Sequence, residues 1–478
     1  MRSVHSLIPL ACMIWSAVNR PAQCQSLWAN MDEGLSTSGP RCFLEDTQND
    51  ILYVSGAFAM AGEDVISPGI MTWDGEHFSA MDCGFNWDCV SPFSSGGLGN
   101  GGVGTLTFWN GELYAGGDIY LINGQPASNV ARWDGTTWQS LGLGLDGIVY
   151  RLHGYPDGLY AVGSFTHAGG IEANGLARWD GEAWHSVYGL PLYDDVNLIY
   201  DMAWYNDQIY ICGNFGSANG ISDIAYYDGT AWASVGNGIR GSFSQVNLLE
   251  VHNGLLYVAG AFAQTQPYGP PDNPGCGIVT WDGANWGQLG DGTCGSGNPT
   301  IYRMTWIQDT LYVTGRFSRI GGVPTGRVGR WDGTQWCSLV PPNYFYPDIG
   351  ALGAYRDTLL IGGTFWEAGP DSIIRVGKWV GGDYTSACGL PTGVVPTEPI
   401  ENELAIFPNP ASDHIRIEFP DSAIGEQLVL FDATGRMVDT WRIDRSKTQL
   451  DLSQFGSGSY VLKTSAGQQA RFVIARQR

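Results

Sequence analysis

The sequence predicts an all-β chain, a seven-bladed β-propeller followed by a small Ig-like β-sandwich. An aromatic-Asp-Gly motif recurs seven times, a second anchor precedes every copy, and no stretch sustains helical periodicity. The 68 glycines among 478 residues also weigh against helices, because each costs about 1 kcal/mol in a helix interior.

The motif runs Trp73-Asp74-Gly75 with Phe78, Trp133-Asp134-Gly135 with Trp138, Trp179-Asp180-Gly181 with Trp184, and Tyr227-Asp228-Gly229 with Trp232. It continues as Trp281-Asp282-Gly283 with Trp286, Trp331-Asp332-Gly333 with Trp336, and a degraded Trp379-Val380-Gly381 with Tyr384. Upstream of each lies an aromatic residue or Leu followed three residues later by Gly: Tyr53/Gly56, Tyr114/Gly117, Tyr160/Gly163, Tyr210/Gly213, Tyr257/Gly260, Tyr312/Gly315 and Leu360/Gly363. The period of roughly fifty residues is that of a four-stranded propeller blade.

Asp-Gly between β-formers predicts a tight hairpin, since Gly accepts positive φ without steric cost and Asp tolerates it. The two aromatics five apart then share a face, opposite or diagonal to one another. Each repeat reads as four strands; in the sixth they are Ile301 to Ile307, Thr310 to Phe317, Arg327 to Trp331 and Gln335 to Leu339. A lone blade cannot bury both faces, so neighbours stack about an axis. Trp28 to Leu35 has the spacing of an outer strand such as Trp138 to Leu145, yet no inner strands precede it. It is expected to complete or flank the last blade, whose own outer strand near Tyr384 is weak.

Residues 1–24 read as a secretory signal, with Arg2, an apolar Leu7 to Val18, and cleavage after Ala22-Gln23-Cys24. That run is too short to cross a bilayer and no other is long enough, so no transmembrane segment is expected. Cleavage removes Cys12 and Cys24 and leaves an even number of cysteines, as suits an oxidising compartment. Cys83 and Cys89 bracket a short loop, and Cys276 and Cys294 flank the hairpin of the fifth blade; these are the candidate disulfides. No Cys-x-x-Cys spacing points to zinc.

The net charge of -23 is unevenly placed. Gln25 to Leu390 holds thirty-six acidic side chains against thirteen basic ones, while Glu403 to Arg478 holds nine of each. The whole imbalance therefore belongs to the propeller, residues 25–390. Such a field repels phosphate backbones and anionic glycans, which argues against a nucleic-acid partner. A solvated acidic surface is the simplest account, with calcium the one cofactor admitted.

Residues 391–402 carry Pro and Thr without periodicity and read as a linker. Short alternating segments then resume in residues 403–478, a pattern that suits a small β-sandwich. Phe407-Pro408-Asn409-Pro410, His414-Ile415-Arg416-Ile417, Leu430-Phe431-Asp432-Ala433-Thr434-Gly435-Arg436, and Gly458-Ser459-Tyr460 occur in that order. This tail resembles the type A sorting domain of the type IX secretion system. The resemblance implies a bacterial address label that takes periplasmic cargo through the outer membrane, with the secretion machinery as partner. The repeats in turn resemble kelch-like repeats of bacterial surface proteins and the propeller of fungal cortical polarity markers. That likeness rests on phrases such as Leu159-Tyr160-Ala161-Val162-Gly163-Ser164-Phe165 and Ala131-Arg132-Trp133-Asp134-Gly135. It implies a fold and an extracellular setting rather than a reaction.

In such blades the second-to-third loops and the blade-to-blade connections share one face, and every long insertion falls there: Cys83 to Gly102, Tyr188 to Leu198, Gln264 to Gly275 and Pro341 to Gly350. Function is expected on that face. Its candidate ligand-binding residues are Trp87, Asp88, Tyr188, Tyr193, Asp194, Asp195, Tyr268, Tyr344, Tyr346 and Asp348, aromatics beside carboxylates that suit sugar stacking or a peptide groove. The repeated tryptophans are expected to stack blades. The histidines show no convergence on one face, and no phosphate loop, nucleophile elbow or EF-hand pattern occurs. No catalytic residue or metal ligand is assigned. The expected function is a secreted binder of a glycan or protein, with a glycan-directed hydrolase, lyase or oxidase as the alternative.

Overall fold

The first aromatic doublet, Trp73 and Phe78, pairs directly across a hairpin, and so do the next five copies. A computed structural model describes residues 27–380, 405–407 and 414–474, apart from internal stretches of which 82–92, 95–101, 188–197 and 215–220 are the longest. Residues 1–24 and 391–402, expected as signal and linker, and Cys83 and Cys89 lie outside the described residues. No α-helix occurs among those described, and no helix there is long and apolar enough to cross a membrane. The chain divides into two units, Met1–Val394 and Val395–Arg478.

The first unit carries seven four-stranded antiparallel sheets. Their innermost strands, which define blades 1 to 7, are Pro40–Asp46, Gly102–Trp109, Val149–Tyr155, Leu198–Tyr205, Gln245–His252, Thr300–Ile307 and Ile349–Tyr355. These strands neighbour one another in cyclic order, and that of blade 7 lies beside that of blade 1. The ring is closed.

The hairpin chemistry differs from the expected one at the Asp. Gly75, Gly135, Gly181, Gly229, Gly283 and Gly333 do adopt positive φ, from 97 to 111°. None of the preceding Asp residues does; each instead accepts the amides two and three residues on, as when Asp134 Oδ1 takes Thr136 N and Thr137 N at 2.8 Å each. The short carboxylate thus closes the turn as an Asx cap, which Glu is too long to imitate. These bonds hold the Asp134 carboxyl below the usual range, the Thr137 amide contributing most.

The second anchor has a steric cause. A Cβ on Gly163, Gly213, Gly260 or Gly315 would lie 2.0 to 2.1 Å from a carbonyl oxygen at the start of, or just before, the adjoining inner strand. At that level every inner-strand pairing slips by one residue, at Arg41, Gly104, Tyr150, Tyr200, Asn247, Tyr302 and Gly350. The repeated glycine makes room for a repeated bulge.

Closure comes from the front of the chain. Trp28–Asn30 pairs antiparallel with Val376–Trp379 as the fourth strand of blade 7, with Trp28 opposite Trp379. The aromatic opposite Trp379 is therefore Trp28; Tyr384, its expected partner, lies outside the described residues. Trp28 is 1% exposed, its ring 5.0 Å from Trp379 and 5.7 Å from Phe345. Asp371 Oδ2 accepts Leu27 N at 3.0 Å, Trp28 N at 2.8 Å, and the Tyr344 hydroxyl. A second tie joins blades 7 and 1, where Arg356 Nη2 reaches Asp50 Oδ2 at 2.6 Å and the Tyr355 hydroxyl donates to Asp50 O at 2.7 Å. Between ordinary blades the outer tryptophan does similar work: Trp336 Nε1 donates to Leu289 O at 2.6 Å and Trp184 Nε1 to Leu141 O at 3.2 Å.

Cys276 and Cys294 form a disulfide with Cα atoms 5.2 Å apart, as expected, and Cys337 is also disulfide-bonded. Cys42 and Cys212 are free thiols, so the even cysteine count does not translate into complete pairing. The second unit has a three-stranded sheet, Ala405–Phe407, His414–Glu418 and Lys447–Asp451, and a four-stranded one, Met437–Arg442, Gln427–Asp432, Gly458–Thr464 and Gln469–Ile474. Ile415, Ile417 and Leu450 of the former share one core with Leu428, Leu430 and Leu462 of the latter.

Candidate ligand site

The bulge sets the next residue of all seven inner strands at one level: Cys42, Thr105, Arg151, Asp201, Leu248, Arg303 and Ala351. These strands enclose a cavity of about 490 Å³ along the ring axis. Its lining runs from Arg41 and that level past His153 and Glu250 to Tyr155, Trp204 and Val251 near the first hairpin turns. The bulged Tyr150 and Tyr200 stack 5.6 Å apart on the loop side. The cavity therefore occupies the half of the ring away from the long insertions, where sequence reasoning had not set a site.

Polar groups converge inside it. His153 Nε2 lies 2.8 Å from Asp201 Oδ1, which also accepts Met202 N at 2.9 Å, while Asp201 Oδ2 accepts Leu249 N from the next blade at 3.1 Å. Arg303 Nη1 donates to Tyr302 O at 2.7 Å and its Nη2 to Arg41 O at 3.3 Å; Arg151 Nη1 donates to Tyr150 O at 3.1 Å. Enclosure by protein, then the nearby Arg151 charge, lower the Arg303 pKa to about 9. Enclosure also raises Glu250 to about 8, with Asp201 adding to it, so Glu250 is mostly a neutral acid at pH 7. Burial pushes the Cys42 thiol up.

The absence of histidine convergence holds for most of them. His167 bonds Asp146 at 2.9 Å, His185 bonds Asp180 at 2.6 Å, and His252 stacks on Trp306 at 3.6 Å, each in its own place. His153 is the exception, because it extends to Asp201 of the following blade. Aligning the inner strands on the anchor glycine would have exposed the site: one position carries Arg151, Asp201 and Arg303 where other blades carry Cys42, Thr105, Leu248 and Ala351.

The loop candidates separate by burial. Tyr346 is 52% exposed and meets Trp366, 64% exposed, edge to face at 5.5 Å. Tyr344 is buried on Asp371, fastening its loop to blade 7, and Phe345 is buried against Trp28. Asp348 is paired with Arg327, and half-buried Tyr268 lies 6.4 Å from the exposed Phe243. Trp87, Asp88, Tyr188, Tyr193, Asp194 and Asp195 lie outside the described residues. Among the described residues no group of three or more His, Cys, Asp and Glu is placed to hold a metal.

Residues 405–475 match the family described as secretion system C-terminal sorting domain. The tail is a type IX secretion sorting domain. It marks the protein as secreted or carried on the outer-membrane surface, and implies contact with the secretion machinery. No curated protein matches the sequence. Among solved structures, the chain is similar to the extracellular domain of BT4673 from B. thetaiotaomicron, at 10% identity and a TM-score of 0.46, covering 95% of this chain and 58% of that one. It is also similar to PorZ, a bacterial surface component of the type IX secretion system of Porphyromonas gingivalis, at 13% identity and a TM-score of 0.32, covering 89% of this chain and 64% of that one. The chain thus spans less than two thirds of the length of either.

Within the sorting domain, Asp432 ends one strand opposite Tyr460 of another, and Gly458 opens the latter. The Tyr460 hydroxyl donates to Gly456 O at 3.0 Å, and Arg436 is exposed. Pro408, Asn409, Pro410 and Gly435 lie outside the described residues.

Proposed function

We propose that the propeller is a non-enzymatic binding module for a glycan or protein at the cell surface, delivered there by its sorting domain after removal of residues 1–24. The axial cavity is the observation that carries this reading. Its volume lies within the range of small-ligand pockets, and apolar walls from Phe43, Leu152, Trp204 and Met304 surround a few convergent polar groups. The exposed Tyr346 and Trp366 add an aromatic platform of the kind that stacks on sugar rings. The resemblance of the repeats to kelch-like ones agrees with such a role.

The test is a glycan array probed with the exported chain, with and without calcium. Retention of glycans without turnover is the expected result, and a calcium requirement would add that ion to the site. The enzyme reading has one specific support: a neutral Glu250 within the cavity that also holds the His153–Asp201 pair. New reducing ends, unsaturated sugars or oxidised products from any retained glycan would overturn the binding module in its favour.

A further inference from the structure

We propose that the axial cavity receives the anionic group of an acidic sugar, a carboxylate or sulfate, through Arg41, Arg151 and Arg303. This rests on the binding-module reading and narrows its ligand. The propeller has only thirteen basic residues, yet three of them line one cavity in an otherwise acidic domain. The repulsive field inferred from the net charge does not extend to the axis, because the carboxylates of the repeated turns are exposed on the outside.

The three guanidiniums come from blades 1, 3 and 6, so they approach the axis from different sides. Blade 7 carries only Gly350 and Ala351 at the corresponding level, and Arg303 reaches past it to the Arg41 carbonyl of blade 1. Arg151 and Arg303 make no ion pair among the described residues. Of the five N–H donors on a guanidinium, Arg303 commits two and Arg151 one to backbone carbonyls. The remaining donors make no hydrogen bond to a carboxylate among the described residues, and the Asp201 charge reaches Arg303 only through space. Asp201 is already bonded by His153 and two amides, and enclosure holds Glu250 largely neutral at pH 7. Enclosed cations of like sign repel one another unless an anion intervenes. A carboxylate or sulfate supplies two or three acceptor oxygens in the geometry a guanidinium matches, while Phe43 and Trp204 offer apolar walls for the sugar ring.

The test uses the full exported chain with glucuronate, inorganic sulfate and glucose as probes, read by thermal shift and calorimetry. Glucuronate and sulfate should raise the melting temperature where glucose does not. Arg151→Met and Arg303→Met, checked for native circular dichroism, should each weaken glucuronate at least about tenfold, the loss expected for one charge-assisted hydrogen bond. Arg303→Met should also melt no lower than the wild type without ligand, because it removes an unpaired enclosed charge. Equal response to glucose and glucuronate, or folded Met variants with unchanged affinity, would overturn the anion site. Neutral glycans retained on an array without any glucuronate response would do so too, while leaving the binding module standing. A sulfate response with no uronate-bearing or sulfated glycan retained would overturn the sugar as ligand.

Discussion

Replacing Trp28 with alanine tests whether the ring depends on its borrowed strand. The indole is 1% exposed and packed against Trp379 and Phe345, and truncating a buried Trp to Ala costs about 3–5 kcal/mol. A propeller of roughly 350 residues has an unfolding entropy of about 0.7 kcal/mol/K, so the melting temperature should fall by about 4–7 °C. Trp336→Ala is the matched comparison: Trp336 is also 1% exposed and occupies the same strand position in blade 6. The Trp336 strand is tethered by a short hairpin, whereas Trp28–Asn30 is held at blade 7 by non-covalent contacts alone. Trp28→Ala should therefore also expose its segment to limited proteolysis and amide exchange well below the global transition. A melting temperature within 1 °C of wild type, alongside a clear loss in Trp336→Ala, would refute the closure argument.

Asp371→Ala removes the carboxylate that accepts the Leu27 and Trp28 amides and the Tyr344 hydroxyl and should cost about 2–4 kcal/mol in denaturant melts; a loss as small as that of an exposed Asp would contradict its role as clasp. Glu250→Gln isolates the raised carboxyl of the cavity. A folded pKa of about 8, above the ordinary glutamate value of 4.5, means that the wild type loses stability as pH rises through that interval. The variant should thus gain on the wild type between pH 5 and pH 9, by on the order of 2 kcal/mol once channel water is allowed for, and a gap independent of pH would count against the shift. Cys276→Ala with Cys294→Ala should cost about 2–4 kcal/mol. In the intact protein Cys212, fully buried, should react with a thiol reagent only upon unfolding; rapid labelling would show the blade 4 core to be open.

The parts of the fold legible in sequence were those written in local chemistry. Asp-Gly hairpins, facing aromatics and the anchor glycine each repeat a short-range constraint, and Trp28 betrayed itself as an outer strand lacking a blade. The cavity was hidden for a physical reason. Its members stand about fifty residues apart, one per blade, and a bulge that shifts the alternation by one residue decides which side chains turn to the axis. Net charge misled as well, because it sums exposed turn carboxylates with enclosed arginines as if they shared one field. Burial among loop aromatics was equally opaque: Tyr344 and Tyr346 are two residues apart, yet the first packs on Asp371 and the second faces solvent.

The borrowed fourth strand of blade 7 bears on what happens after export. Val380, the residue after the third strand of the last blade, bonds Leu27 O through its amide at 3.0 Å. Proteolytic excision of the sorting domain, residues 403–478, would remove an address without withdrawing any described strand from the ring, so that maturation and architectural integrity would be uncoupled. A conventional ending, with the outermost strand supplied by the following residues, would have put every trimming event in competition with the fold.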